Sequence, residues 1–268
     1  MKLVSKIIHA ESNVFPKYSM SDTQQGFTLV ELMIALVLGL ILLLVIGTVF
    51  VSSNQAFRLQ EDNARIQEGG RFALEILGRS IKQAGHMDVP FDNYEIEFTG
   101  VAINGTDGGA GVADTLTVQS DGMIGDRDCT GGGPVAAAGN IIQNHYNLDA
   151  ANAELQCAGV IAVTPAAPGA PPTGQVILDN VEDLQVFYGI DTTADQSANQ
   201  YVAVPADWDQ VVNARVCVLI RSDKTNIVAA GGSYLDCTGV AVAVPADRRL
   251  RRAFTATFNL RNRVNVLP

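Results

Sequence analysis

The sequence predicts an α+β protein: a long N-terminal α-helix, its first half able to span a membrane, packed on a β-rich globular domain. Three observations lead there. An apolar run without proline extends from Leu32 to Val51, and Glu31 is the only charged residue between Asp22 and Arg58. Helical spacing of apolar residues continues past that run to Ala84. Beyond Gly85 the composition shifts to Gly, Asn, Asp, Thr and Val, and helical spacing gives way to alternation at period two.

The elements follow in order. Residues 1–26 read as a leader rather than as fold. They lack the continuous apolar stretch and small-residue cleavage site of an ordinary secretory signal, and the apolar run follows them. Residues 27–51 form the membrane half of the helix; twenty residues at roughly 1.5 Å rise span about 30 Å, one bilayer core. Residues 52–84 form an amphipathic half; Phe50, just before it, with Phe57 and Ala64 recur at seven-residue spacing, and Arg58, Glu61, Asp62, Arg65 and Glu68 are interleaved. Gly69-Gly70 is expected to loosen or kink the helix. Ala73, Leu77, Ile81 and Ala84 make an apolar stripe, and Gly85 is the expected stop.

Residues 85–268 form the β-rich domain. Strands are expected at Thr115–Ser120, Gly159–Thr164, Gln175–Leu178, Val181–Ile190, Val212–Ile220 and Ala253–Leu260. In the last three, alternate positions gather Leu184, Val186, Tyr188 and Ile190; Val212, Ala214, Val216, Val218 and Ile220; and Phe254, Ala256, Phe258 and Leu260. Turn-rich loops are expected at Asn104–Gly111, Gly131–Pro134, Pro165–Gly174 and Asp191–Asn199.

Charge and cysteines narrow the class. The formal charge is −10, and the leader carries Lys2, Lys6 and Lys17 against Glu11 and Asp22, so the chain without it stands near −11. That balance excludes broad nucleic-acid binding driven by phosphate neutralisation. Cys129, Cys157, Cys217 and Cys237 all follow the apolar run, with no CxxC and no histidine at ligand spacing, so disulfides are expected rather than zinc. Three pairings are possible. Cys129–Cys157 and Cys217–Cys237 are favoured because each closes a short local loop, worth about 2–4 kcal/mol; four buried free thiols are the alternative.

Gly26-Phe27-Thr28-Leu29-Val30-Glu31 and the apolar helix behind it resemble the class III-type prepilin motif of type IV pilins and type II secretion pseudopilins. The resemblance implies that a prepilin peptidase cuts after Gly26, that the new N-terminal Phe27 is N-methylated, and that Glu31 serves filament assembly. Gln24-Gln25 stand where such leaders usually carry a basic residue, and Met20 is an alternative start. Further segments resemble the PilW family of minor pilins: Arg65–Leu74 with Ile81–Gly85, Val181–Asp191, and Arg248–Arg263. This implies a pilin-like fold and a role in initiating and supporting type IV pilus assembly. The implied partners are other minor pilins, the major pilin, a tip adhesin, the inner-membrane assembly platform and the lipid bilayer. The implied location is the inner membrane, single-pass, with the C-terminal domain in the periplasm and incorporation in or at the tip of a pilus. A minor pseudopilin at a type II secretion tip is the alternative, as is, from another class, an adhesive or DNA-binding pilin.

No catalytic residue, cofactor or metal site is expected, and no enzyme. His9 lies in the leader, His86 and His145 are isolated, and no nucleophile motif or P-loop occurs. Asp121, Asp126 and Asp128, and separately Asp191 and Asp195, lack the EF-hand spacing and read as solvated loops. Six arginines crowd Arg248–Arg263, readable equally as a docking surface for an acidic neighbour or as the solvent face of a strand. Trp208 reads as a core plug beside a loop.

Overall fold

A computed structural model describes residues 26–87, 98, 100–109, 111–137, 139–162 and 174–262. The leader to Gln25, Val163–Thr164 of one expected strand, most of the Pro165–Gly174 loop and Arg263 lie outside the described residues. Among the described residues a single α-helix, α1 (Leu29–Gln83), contributes to two compact units, one ending at Ser53 and one beginning at Asn54.

In the first unit every large apolar side chain from Leu32 to Val51 is exposed. This part of α1 is long and apolar enough to cross a membrane.

The second unit is built around the rest of α1. Its buried ridge is Asp62, Ile66, Gly70, Ala73, Leu77 and Ile81, spaced three and four apart. The Ala73–Leu77–Ile81–Ala84 stripe is thus core. The stripe expected at Phe50, Phe57 and Ala64 is not: all three are exposed, and the packing face begins at Asp62 instead. Gly69-Gly70 does not interrupt the helix. The helix ends where Gly85 takes a left-handed φ of 67° and donates its N–H to Gln119 O at 2.9 Å.

Among the described residues eleven strands form three sheets. β1 (Ile103–Thr106), β2 (Thr115–Gly122), β3 (Asn140–Asp149), β4 (Glu154–Ala162) and β5 (Gln175–Asp179) make an antiparallel meander in that order. β6 (Val181–Ile190), β7 (Gln200–Val202), β8 (Val211–Arg221) and β11 (Arg251–Asn259) make a second sheet, ordered β11-β8-β6-β7. β9 (Ser233–Leu235) and β10 (Ala241–Ala243) form a short ribbon between β8 and β11 in sequence.

The expected strands are present, and β1 claims the first part of the expected Asn104–Gly111 loop. β3 was not expected. Its sequence is mostly polar because one face pairs polar side chains across strands. Gln119 Nε2 donates to Gln143 Oε1 at 2.9 Å, and Thr117 Oγ1 meets His145 Nδ1 at 2.7 Å. The opposite face places Tyr146 beside Leu116 in the core.

In the second sheet β6 and β8 set Leu184 against Val218, Val186 against Val216 and Tyr188 against Ala214, all nearly inaccessible. A single residue joins the two sheets: Asn180, between β5 and β6, adopts φ 63°, a left-handed conformation asparagine tolerates. Asp114 seals the seam. Its N–H donates to Leu184 O at 2.8 Å, and its carboxylate accepts Val186 N–H at 2.8 Å and Gly108 N–H at 3.0 Å.

β11 lies against α1 through two glycines. A Cβ on Gly70 would fall inside the ring of Phe254, and one on Gly78 inside the ring of Phe258. Eight helical residues rise about 12 Å and four strand residues about 13 Å, so the two ring-to-glycine contacts keep register.

Candidate functional site

The sequence places its processing and assembly residues at the start of α1. Gly26, Phe27 and Thr28 are non-helical and exposed, and the helix begins at Leu29. Thr28 is the N-cap: its carbonyl accepts the N–H of Leu32 at 3.2 Å, and its Oγ1 accepts the N–H of Glu31 at 3.3 Å. Glu31 returns the contact. Its Oε2 accepts the Thr28 N–H at 3.0 Å and the Thr28 hydroxyl at 3.1 Å. This is a reciprocal capping box, and the Thr-x-x-Glu spacing is its sequence signature. The negative carboxylate also sits in the first turn, where the helix dipole favours it. The sequence reading identified Glu31 but not Thr28; the spacing was sufficient to find it.

The four cysteines belong to the second unit and are not brought to one site. Cys129 pairs with Cys157 across a Cα–Cα distance of 6.3 Å, and Cys217 with Cys237 across 5.6 Å. The first bridge ties the turn after β2 to buried Cys157 of β4. The second ties the β9–β10 segment to buried Cys217 of β8.

Of the C-terminal arginines, Arg251 is buried and Arg248 and Arg249 are half-buried, and all three are engaged inside the domain, as neither a docking surface nor the solvent face of a strand would have them. Arg251 is buried, with 4 % of its side chain exposed, and grips two carboxylates. It donates to Glu182 at 2.6 and 2.8 Å and to Asp247 at 3.0 and 2.7 Å. Arg249 donates to the carbonyls of Ser222 and Asp223 at 2.7 and 2.6 Å, and Arg248 to Val228 O at 2.9 Å. Arg221 joins Glu182 at 3.2 Å. The network clamps the 222–250 excursion onto the second sheet. Hydrogen bonding from Arg251 holds Asp247 below the ordinary carboxylate range, while burial pushes Asp114 above it. Arg252 and Arg261 remain exposed.

The loop aspartates satisfy backbone donors. Asp128 Oδ1 accepts the N–H groups of Thr130 and Gly132 at 2.9 and 2.8 Å. Asp191 accepts those of Thr193 and Gln196 at 2.9 and 2.6 Å. Trp208 packs edge-on against Tyr188, with ring centroids 4.8 Å apart, as a plug beside a turn.

Residues 22–47 match the prokaryotic N-terminal methylation motif, and residues 141–262 match the family described as Type IV Pilus-assembly protein W. Among solved structures the chain is similar to a type IV-like pilin from Thermus thermophilus, at 15 % identity and a TM-score of 0.50, over 74 % of this chain and 96 % of that one. That likeness establishes the fold. A comparison with curated proteins finds no match.

The long apolar N-terminal helix and the β-sheet-rich domain that packs on its later half define a type IV pilin-like fold, and the N-terminal methylation motif stands at the start of that helix. The motif and the apolar helix fit membrane anchoring of a globular domain.

Proposed function

We propose that this protein is a minor pilin of the PilW type that primes and supports type IV pilus assembly. The observation that carries the reading is the joining, in one chain, of a prepilin methylation motif at residues 22–47 to a PilW domain at 141–262. In this reading a prepilin peptidase hydrolyses the Gly26–Phe27 bond and Phe27 is N-methylated. Residues 27–51 then anchor the subunit in the inner membrane, residues 52–84 continue the helix, and the β-rich domain stands in the periplasm. The subunit enters the filament or its tip with other minor pilins and the major pilin, on the assembly platform and beside a tip adhesin.

Glu31 supplies the chemistry of entry. A free α-amine on the Phe27 of one subunit and a carboxylate within apolar surroundings are each costly alone and tolerable as a hydrogen-bonded pair. The resident of the membrane and the neighbour in the filament thus recognise each other by charge.

The test is a deletion strain complemented with wild type, Gly26→Phe or Glu31→Ala. Deletion is expected to abolish surface pili while the major pilin stays in the membrane. Gly26→Phe is expected to leave a full-length precursor, and Glu31→Ala a processed subunit missing from sheared filaments. Normal piliation in the deletion strain would overturn the priming role.

A further inference from the structure

We propose that the second sheet carries a binding site for a neutral sugar ring, built by the β6–β7 loop, β8 and β11. The site is a cavity of about 300 Å³, at the low end of the range for small-molecule sites. Gln196, Ser197, Asn213 and Asn259 supply its polar lining, and Leu260 part of its apolar wall.

The position follows from one row of residues across the sheet. Tyr201 of β7 lies opposite Gly189 of β6, Gly189 opposite Asn213 of β8, and Asn213 opposite Asn259 of β11. Gly189 is the gap in this row. A Cβ there would fall on Asn213 Oδ1 and would crowd the Ala198 Cβ at 2.8 Å. Its absence lets the Asn213 amide fold across the sheet and lets the loop lie beside it. The loop is held by its own hydrogen bonds. Asp191 accepts the Gln196 N–H at 2.6 Å, Asp195 the Ser197 N–H at 2.9 Å, and Asn199 the Thr192 N–H at 3.2 Å. That frame keeps Gln196 at φ 61°, a left-handed conformation in which a glutamine is strained. The strained residue is one that lines the cavity.

The lining fixes the chemistry of the ligand. Amides and hydroxyls both donate and accept, and among the described residues the side chains of Gln196, Ser197, Asn213 and Asn259 make no hydrogen bond to the protein. Asn213 Oδ1 is sealed from solvent without a partner. Nothing in the protein holds either end of that amide, so a half-turn can present an N–H or a C=O to a ligand. Among the described residues no charged side chain lines the cavity, which leaves an ionic ligand without a counter-charge. A peptide added to the sheet would need unpaired main chain, and at Gly189 and Asn213 the main chain is already paired. A sugar ring needs what is present: closely spaced neutral donors and acceptors and, beside them, an aromatic surface for its C–H groups. Tyr201 supplies that surface. Its ring is 37 % exposed, and its centroid stands 4.1 Å from Arg215 Cζ, which pins it.

The experiment is a saturation-transfer NMR titration of the full chain in dodecylphosphocholine, a detergent without a sugar headgroup that would compete. The probes are the methyl glycosides of glucose, galactose, mannose and N-acetylglucosamine, with blocked trialanine as the peptide comparison. At least one glycoside is expected to bind. Asn259→Ala and Gln196→Gly are each expected to weaken it about fivefold, the factor for one lost neutral hydrogen bond. Both residues are exposed, and glycine suits the left-handed turn, so both variants are expected to unfold as wild type does when followed by Trp208 fluorescence. Tyr201→Ala is expected to weaken binding as well, and Val240→Ser, beside β10, to leave it unchanged. The trisaccharide of the sugar that binds separates two sources: tighter binding than the glycoside assigns the site to a glycan end, equal binding to a free sugar, and either supports it. Binding of none of the glycosides, binding that survives Asn259→Ala and Gln196→Gly together, or transfer to trialanine alone would overturn the proposal.

Discussion

Replacing each member of the Gly69-Gly70 pair by alanine is expected to move stability in opposite directions. Both residues lie inside α1, where glycine costs about 1 kcal/mol relative to alanine. At Gly69 a new Cβ would meet Ile220 Cδ1 at 3.5 Å and the Leu178 methyls at 3.7 Å, ordinary contact distances. Gly69→Ala should therefore return most of that ~1 kcal/mol. At Gly70 the new methyl would overlap the Phe254 ring, and Cγ is among the overlapped atoms. Spinning the ring about its own axis cannot relieve a clash at Cγ, so the side chain must leave its rotamer or β11 must shift. Overpacking of this kind costs about 1–3 kcal/mol, and three overlapped ring atoms place it at the upper end. After the helical gain, a net loss of about 2 kcal/mol remains, or a fall of about 4–8 °C in Tm for a domain of this size, against a rise of about 2–4 °C for Gly69→Ala. Trp208 is the only tryptophan and packs on Tyr188 in the core. Its fluorescence in detergent-solubilised protein thus follows unfolding of the second unit. Adding Phe254→Leu should recover part of the Gly70→Ala loss. A Gly70→Ala protein as stable as wild type would refute the account of these glycines as seats for the β11 rings.

Arg251→Met leaves Glu182 with Arg221 and Asp247 with Arg249, so the loss should sit near the low end of the range for a broken buried pair, about 3 kcal/mol in urea unfolding. Asp247 is held below the ordinary value of 3.8. Its stabilising contribution is complete above that value and lost as pH falls through the lower folded one, so Asp247→Asn should flatten the acid limb of a stability profile recorded from about pH 5 to about pH 2. Asp114, raised by burial, acts with the opposite sign: its cost is present above its folded pKa and disappears as pH falls toward the unfolded one. Joint replacement of Cys217 and Cys237 by serine should cost about 3 kcal/mol and open residues 222–250 to limited proteolysis, while the equivalent change at Cys129 and Cys157 should leave that segment protected.

Legibility in the sequence tracked how one-sided each element's packing is. Val181–Ile190 was readable to the residue because β6 lies between β7 and β8 and presents a continuous apolar face. β3 was not, because both its faces carry polar side chains and its buried Gln143 and half-buried His145 look like loop residues. The stripe at Phe50, Phe57 and Ala64 misled for a related reason. Apolar spacing identifies a face but does not say what covers it, and within the domain the covered face of α1 is marked by small residues that admit rings from another element. Glycine counted as a helix breaker at Gly70 for the same cause: its value lies in Phe254, 184 positions later. The arginine run carried no signal of burial, since Glu182 and Asp247, which draw Arg251 inward, stand on different elements.

The first half of α1 poses a question of magnitude that constrains every account of function. Sixteen large apolar side chains between Leu32 and Val51 are more than half exposed. At about 1.5 kcal/mol each, leaving them in water would forgo some ~24 kcal/mol, well beyond the roughly 5–15 kcal/mol that stabilises a typical domain. Among the described residues none covers these side chains, and a Cβ at Gly39 or Gly47 would meet nothing within 4 Å. The segment therefore requires an external apolar environment. It is apolar on every side, so it has no polar face to set toward water while another face is covered. A helix of that kind is as well suited to lipid on all sides as to other helices on all sides. The same residues can thus be covered by lipid or by neighbouring apolar helices with little difference in apolar burial between the two.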